Sequence, residues 1–95
     1  SKDFNAALKV AAALYDQDKT SVTNQFNLIL YALAAQRKVE VAKHLPQLLA
    51  KIDSRHFLNM ALFLVGDLLT VIPNQTQAIA MRQQLQKVEQ RFTTV

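Results

Sequence analysis

The amino-acid sequence predicts an all-α fold of five antiparallel helices, and three observations lead to this prediction. The 95 residues include one glycine and two prolines and lack long runs of β-branched residues, a composition that favours helix over sheet. Apolar residues recur at intervals of three and four, as on one face of a helix. The polar breaks between these segments are short, which makes successive helices antiparallel neighbours. The length suits a single domain over residues 1–95.

The first helix is predicted from a cap at Asp3 to about Tyr15, followed by a short polar loop. Thr20 or Ser21 can cap the second helix, which is predicted to continue to about Ala35. The apolar positions that share one stripe of the first helix are Phe4, Ala7, Leu8, Ala11, Leu14 and Tyr15.

The second helix is apolar nearly all the way round from Phe26 to Ala35, where Asn27 is the one strongly polar residue. A helix of this kind is buried on several sides, so the remaining helices should pack around it. We expect Leu30 and Leu62 to be buried at the centres of the second and fourth helices.

The third helix is predicted over Val39–Ile52 and contains Pro46. A proline inside a helix removes one backbone hydrogen bond and clashes with the preceding turn. We therefore expect a kink at Pro46, or a break at which Pro46 opens a new helical segment.

The fourth helix is predicted from Arg55 to Val71, with Asp53 or Ser54 as its cap. Gly66 interrupts its large residues, and a glycine in this context suggests that another helix approaches closely. The apolar stretch 57–72 is 16 residues long and contains Asn59 and Asp67, which is short of the roughly 20 residues that span a bilayer. We predict a buried core helix and no membrane span.

The fifth helix follows the stop signal Ile72-Pro73-Asn74 and continues to about Phe92, with Asn74 or Thr76 as its cap. Its other face is mostly Gln, Lys and Arg, as expected for a terminal helix packed on one side. The apolar positions of its packed face are Ala78, Met81, Leu85, Val88 and Phe92.

The net charge of +4 is concentrated in residues 37–55, which contain five cations and two anions and which we call the basic segment. Such a segment could bind nucleic acid or an acidic peptide, although a solvated helix face is the simpler interpretation. No aromatic residue lies among its cations, so single strands have no stacking platform there. The candidate partner contacts are Arg37, Lys38, Lys43 and Lys51.

The sequence contains no pattern that we associate with catalysis or with a bound cofactor. His44 and His56 are 12 positions apart and the chain has no cysteine, a poor zinc pattern. Residues 16–20 imitate the start of a calcium loop, but Ser21 and Asn27 stand where glycine and glutamate are required. We therefore expect a protein that is not an enzyme and needs no cofactor.

Three small residues suggest a repeat of helical hairpins. Ala7, Ala42 and Ala78 lie early in the first, third and fifth helices, 35 and 36 positions apart. Periods near 34 are typical of hairpin arrays, in which each hairpin buries its apolar face against the next.

The stretch LLTVIPNQTQAIAMRQQL, residues 68–85, resembles the junction between tetratricopeptide repeats. Pro73 matches the family's inter-repeat proline, and Ala61 then falls at the small packing position of helix B. The Trp-Leu-Gly-Tyr pattern of helix A is absent. This placement conflicts with the one based on Ala7, Ala42 and Ala78, so the assignment of A and B helices stays open.

The resemblance implies a right-handed stack of helices with a concave groove, formed by the A helices, that binds a peptide or a partner helix. We therefore expect a protein-binding module that acts as a scaffold or assembly factor. Residues 26–52 are also similar to a pentatricopeptide hairpin, in which Asn27 would lie near the base-reading position. The alternatives are thus a nucleic-acid-binding module that uses the basic segment, and a structural subunit of a larger complex. Compartment and oligomeric state stay open.

Overall fold

The computed structural model describes residues 3–93, and this part of the chain forms five helices and no strand. The Cα radius of gyration is 12.9 Å, close to the roughly 13 Å of a globular domain with 100 residues. The all-helical prediction is confirmed, and the predicted boundaries agree with the structure to within two residues. The helices are α1 Phe4–Gln17, α2 Val22–Ala34, α3 Lys38–Lys51, α4 Arg55–Val71 and α5 Thr76–Thr93.

Short polar side chains fix the start of three helices by accepting a backbone hydrogen bond. Asp3 caps α1 by accepting from the Ala6 amide at 3.0 Å. Ser21 caps α2, and Ser54 caps α4 by accepting from the Phe57 amide at 3.0 Å. The structure thereby chooses Ser21 over Thr20 and Ser54 over Asp53.

The cap of α5 is Gln75, and the prediction of Asn74 or Thr76 was wrong. Gln75 Oε1 accepts from the amides of Gln77 at 2.8 Å and Ala78 at 3.2 Å. The same amide group donates through Nε2 to the Leu33 carbonyl at 2.8 Å. Because Gln75 reaches both the first turn of α5 and the end of α2, a longer side chain replaces the usual short cap.

The corner between α2 and α3 is a Schellman motif with glutamine in place of glycine. Gln36 has a φ of 58°, and the Arg37 amide donates to the Ala32 carbonyl at 2.8 Å. The Gln36 amide donates to the Leu33 carbonyl at 3.2 Å. This turn ends α2 and starts α3 within three residues.

Helix α3 continues through Pro46, so the predicted break is wrong. Pro46 itself is exposed, and the backbone donor that it removes lies on the solvent-exposed side of the helix. Val41 before it and Leu48 after it are both fully buried in the same core. Packing on both sides of the proline holds the two halves as one helix.

Helix α2 lies at the centre, packed against α1, α3 and α4, while α5 packs against α3 and α4. Phe26 and Phe57 meet edge to face near the starts of α2 and α4, with ring centroids 5.7 Å apart. The ends of these two helices also meet, so α2 and α4 run parallel. Helices α3 and α5 run parallel too, because Gln77 bonds the Lys38 carbonyl and Arg91 bonds the Leu49 carbonyl.

Leu30 and Leu62 pack against the core but are only partly buried, so the prediction that both are buried is met in part. A helix that is apolar nearly all round does not reveal which of its faces is innermost. The fully buried apolar residues of α2 and α4 with the largest side chains are Phe26, Ile29, Leu33, Leu58 and Val65.

Two expectations about small residues are also wrong. A Cβ at Gly66 would meet nothing within 4 Å, so no helix approaches closely there. Ala78 is fully buried while Ala42 is exposed, so the three alanines of the suggested repeat do not occupy equivalent positions.

Candidate functional site

Two regions of the structure have properties that bear on function, and the first is an apolar groove along α2. One part of it, a cavity of about 240 Å³, lies between the start of α1, the end of α2 and the end of α4. A second cavity of about 340 Å³ lies between α1 and α2. Tyr31 lines both, so the two cavities adjoin, and we call the pair the apolar groove. Its principal apolar side chains are Phe4, Val10, Leu14, Leu30, Leu64, Leu68 and Val71.

The rim of the apolar groove exposes large apolar side chains to solvent. Val10 is 62% exposed and Val71 is 72% exposed. Phe63, 70% exposed, lies two helical turns before Val71 on α4 but lines neither cavity. Large patches of exposed apolar surface mark interaction sites on soluble proteins.

Charge is nearly absent from the apolar groove. Among its lining residues, all within 3–93, Asp67 is the one charged side chain, and it is exposed. The whole chain carries +4, so the groove differs in sign from the protein around it. Asn24 and Asn27 supply the polar groups of the α1–α2 part.

The second region is a cluster of polar side chains at the meeting point of α1, α2 and α3, which we call the Gln25 network. Gln25 is completely buried. Its Nε2 lies 3.0 Å from Gln47 Oε1, 3.2 Å from His44 Nδ1 and 3.5 Å from the Tyr15 hydroxyl. Its Oε1 accepts from Lys51 Nζ at 2.7 Å. Four side chains from two neighbouring helices thus converge on one amide.

Lys51 and His44 also contact Tyr15, which ties α3 to α1. Lys51 Nζ lies 5.8 Å from the centroid of the Tyr15 ring and donates to the Lys19 carbonyl at 2.9 Å. The His44 ring meets Tyr15 edge to face at 5.1 Å. The ammonium group is therefore held by an amide oxygen, a backbone carbonyl and an aromatic face.

The surroundings of His44 favour its neutral form. Burial lowers the pKa of His44 from its ordinary value of 6.5, and the nearby Lys43 cation lowers it further. Glu40 Oε2 lies 3.8 Å from His44 Nε2 and opposes this shift. A polar cavity of about 280 Å³ borders the ring and is lined by both acidic and basic side chains.

In the loop before α2, the side chain of Asp18 forms hydrogen bonds within the loop. Asp18 Oδ1 accepts from the Thr20 hydroxyl at 2.6 Å and from the Thr20 amide at 3.1 Å. These hydrogen bonds lower the pKa of Asp18 below 3.8. No group of three or more metal-ligating side chains occurs within residues 3–93.

The four predicted contact residues do not converge on one site. Arg37 is exposed and donates to Asn5 Oδ1 at 3.1 Å. Lys38 and Lys43 are exposed, and Lys43 borders the polar cavity. Lys51 is partly buried in the Gln25 network. None of the four lines the apolar groove, which runs through the described helices α1, α2 and α4.

Sequence reasoning missed Gln25, although a signal was present. Gln25 precedes Ile29 by one turn and Ala32 by two, so it lies on a buried stripe of α2. A polar residue on such a stripe needs hydrogen-bond partners. The groove was missed because Val10 and Val71 lie outside the stripes that bury each helix.

Searches of protein-family models, curated proteins and solved structures find no match to this chain. Within residues 3–93, none of the helices combines the length and the apolar character needed to cross a membrane. The functional conclusion therefore depends on the geometry of the two regions.

Proposed function

We propose that this chain is a protein-binding module that holds an apolar segment of its partner in the groove formed by α1, α2 and α4. The observation that carries the proposal is the groove itself, whose floor and rim are apolar and open to solvent. Partners that bind such grooves insert apolar anchors spaced along a helix or a peptide. The module would act without catalysis, as a scaffold or assembly factor.

The chemistry of the partner follows from Asp67. Because a carboxylate is the one charge among the described lining residues, a basic residue beside the apolar anchors would be complementary to it. A partner with an acidic residue at that point would face like charge. The expected partner is an apolar peptide or helix with a lysine or arginine near Asp67.

The parallel arrangement of α2 with α4 and of α3 with α5 supports a tetratricopeptide-like stack, in which equivalent helices of successive hairpins run parallel. In that stack α1, α3 and α5 would be the A helices. Two features depart from the family. Helices α3 and α4 are not among the closely packed pairs of the described helices, and the proposed groove is lined mainly by α2 and α4 rather than by A helices.

The test is selection of a random peptide library displayed on phage against the whole chain, followed by fluorescence anisotropy with a selected peptide. We expect saturable binding to peptides with apolar anchors and a basic residue. Val10→Lys and Val71→Lys should each weaken binding by roughly tenfold, because both rim residues contact the partner. Val39→Lys is the matched control, since Val39 is 78% exposed on α3 outside the groove.

Two outcomes would contradict the proposal. One is the absence of any saturable peptide. The other is tight binding of single-stranded RNA that the exposed pair Lys38→Glu and Lys43→Glu abolishes, which would favour the nucleic-acid alternative.

A further inference from the structure

The orientation of the Gln25 amide is fixed by Lys51. An ammonium group can only donate, so the atom that lies 2.7 Å from Lys51 Nζ must be the amide oxygen. The nitrogen of the amide then faces His44 Nδ1 and Gln47 Oε1. An amide nitrogen has two hydrogens and accepts none, so His44 Nδ1 must be the acceptor.

We propose that His44 is a pH-sensitive contact whose neutral ring accepts a hydrogen bond from Gln25 and holds α3 against α1 and α2, and whose protonation breaks that bond. A protonated ring carries hydrogen on both nitrogens. Its Nδ1–H would face the Gln25 NH₂ group, donor against donor. Gln25 cannot turn its oxygen toward the ring, because the NH₂ group would then face the Lys51 ammonium.

The surroundings of the ring also disfavour a positive charge. The ring is 6% exposed, so a charge on it would lose most of its hydration. Three cations and two anions face it from the elements packed around it, and the cations prevail. The charged and titratable groups are Glu40, Lys43 and Lys51 on α3, Tyr15 and Asp16 on α1, and Lys19 in the following loop.

The direction of the pH effect follows from linkage. In the unfolded chain His44 takes up a proton near pH 6.5, whereas in the folded chain it does so at lower pH. Between these two values the unfolded state binds more protons, so stability falls as the pH falls. The stabilisation by the neutral His44 ring is fully present above pH 6.5 and is lost below it. In that range the folding constant falls by up to about tenfold per pH unit.

The first test is a ¹H–¹⁵N NMR titration of the unaltered protein, which has two histidines. We expect His44 to titrate below its ordinary pKa of 6.5 and its neutral ring to carry hydrogen on Nε2. A ring protonated on Nδ1 when neutral, or a His44 pKa at or above 6.5, would overturn the proposal.

The second test replaces the donor of this hydrogen bond, Gln25. Gln25→Glu places a carboxylate between Lys51 and His44, which can accept from both, and the exposed Gln47 can turn its amide to donate to it. We expect this variant to raise the His44 pKa by at least one unit. An unchanged pKa in a folded Gln25→Glu protein would contradict the proposed bond.

The third test measures amide-exchange protection at pH 7 and pH 5. Protection in α3 around His44 should fall between these values by several-fold, and His44→Phe should remove this pH dependence while keeping a ring against Tyr15. His56→Gln is the matched control and should leave the pH dependence unchanged. Equal pH dependence in His44→Phe and the unaltered protein would show that the ring does not control the contact.

Discussion

The apolar groove and the Gln25 network share helices α1 and α2 and use adjacent residues of both, yet they differ in how fully their contacts are satisfied. On α1, Leu14 lines the groove while Tyr15 belongs to the network. On α2, Asn24 lines the groove while Gln25 is the centre of the network. Consecutive residues of a helix point about 100° apart, so one short stretch can serve both regions. The network directs its hydrogen bonds inward, whereas the groove leaves apolar side chains in water.

This difference separates the needs of folding from the needs of binding. A buried amide with converging partners stabilises the folded chain and would cost free energy if it were left unpaired. An exposed valine such as Val71 gains little from folding, because most of its surface stays wet. A change in the network should therefore affect stability, and a change at the groove rim should affect binding alone.

The largest effect is expected for Gln25→Ala. The substitution removes one of the two hydrogen-bond acceptors of Lys51, leaves His44 and Gln47 without their shared donor and creates a cavity in a completely buried position. We expect the free energy of unfolding to fall by about 2–4 kcal/mol. Urea denaturation at pH 7.5 measures it.

The control for this variant is Gln84→Ala on the exposed side of α5, which should change the free energy of unfolding by less than about 0.5 kcal/mol. Equal, small losses in both variants would mean that the Gln25 network does not stabilise the fold. The comparison between the two regions would then lose its basis.

The sequence determined the helices better than it determined their contacts. Asp3, Ser21 and Ser54 could be recognised as caps because a cap depends on a few neighbouring residues. The Gln25 network joins residues up to 36 positions apart (Tyr15 to Lys51), and local pattern carries no information about such pairs. The burial of Leu30 and Leu62 was overestimated for the same reason, since the pattern along α2 does not show where α1, α3 and α4 lie.

An intermediate effect is expected for Gly66→Ala. Gly66 lies inside α4, and a Cβ there would meet nothing within 4 Å. Alanine restricts the unfolded chain and favours helix, so we expect the free energy of unfolding to rise by about 0.5–1 kcal/mol. Thermal denaturation followed by circular dichroism measures the change. A loss of stability would indicate that the glycine is needed for packing after all.

The smallest effect on stability is expected for Val10→Lys and Val71→Lys. Both side chains are mostly exposed, and a lysine can keep its ammonium group in water at either position. Each variant should change the free energy of unfolding by less than about 0.5 kcal/mol, like the matched Val39→Lys control on α3. Urea denaturation of the three proteins, run beside the peptide titration, separates stability from binding. Lower affinity with unchanged stability would assign the rim to partner recognition, whereas a parallel loss of both would mean that the rim valines belong to the packed core.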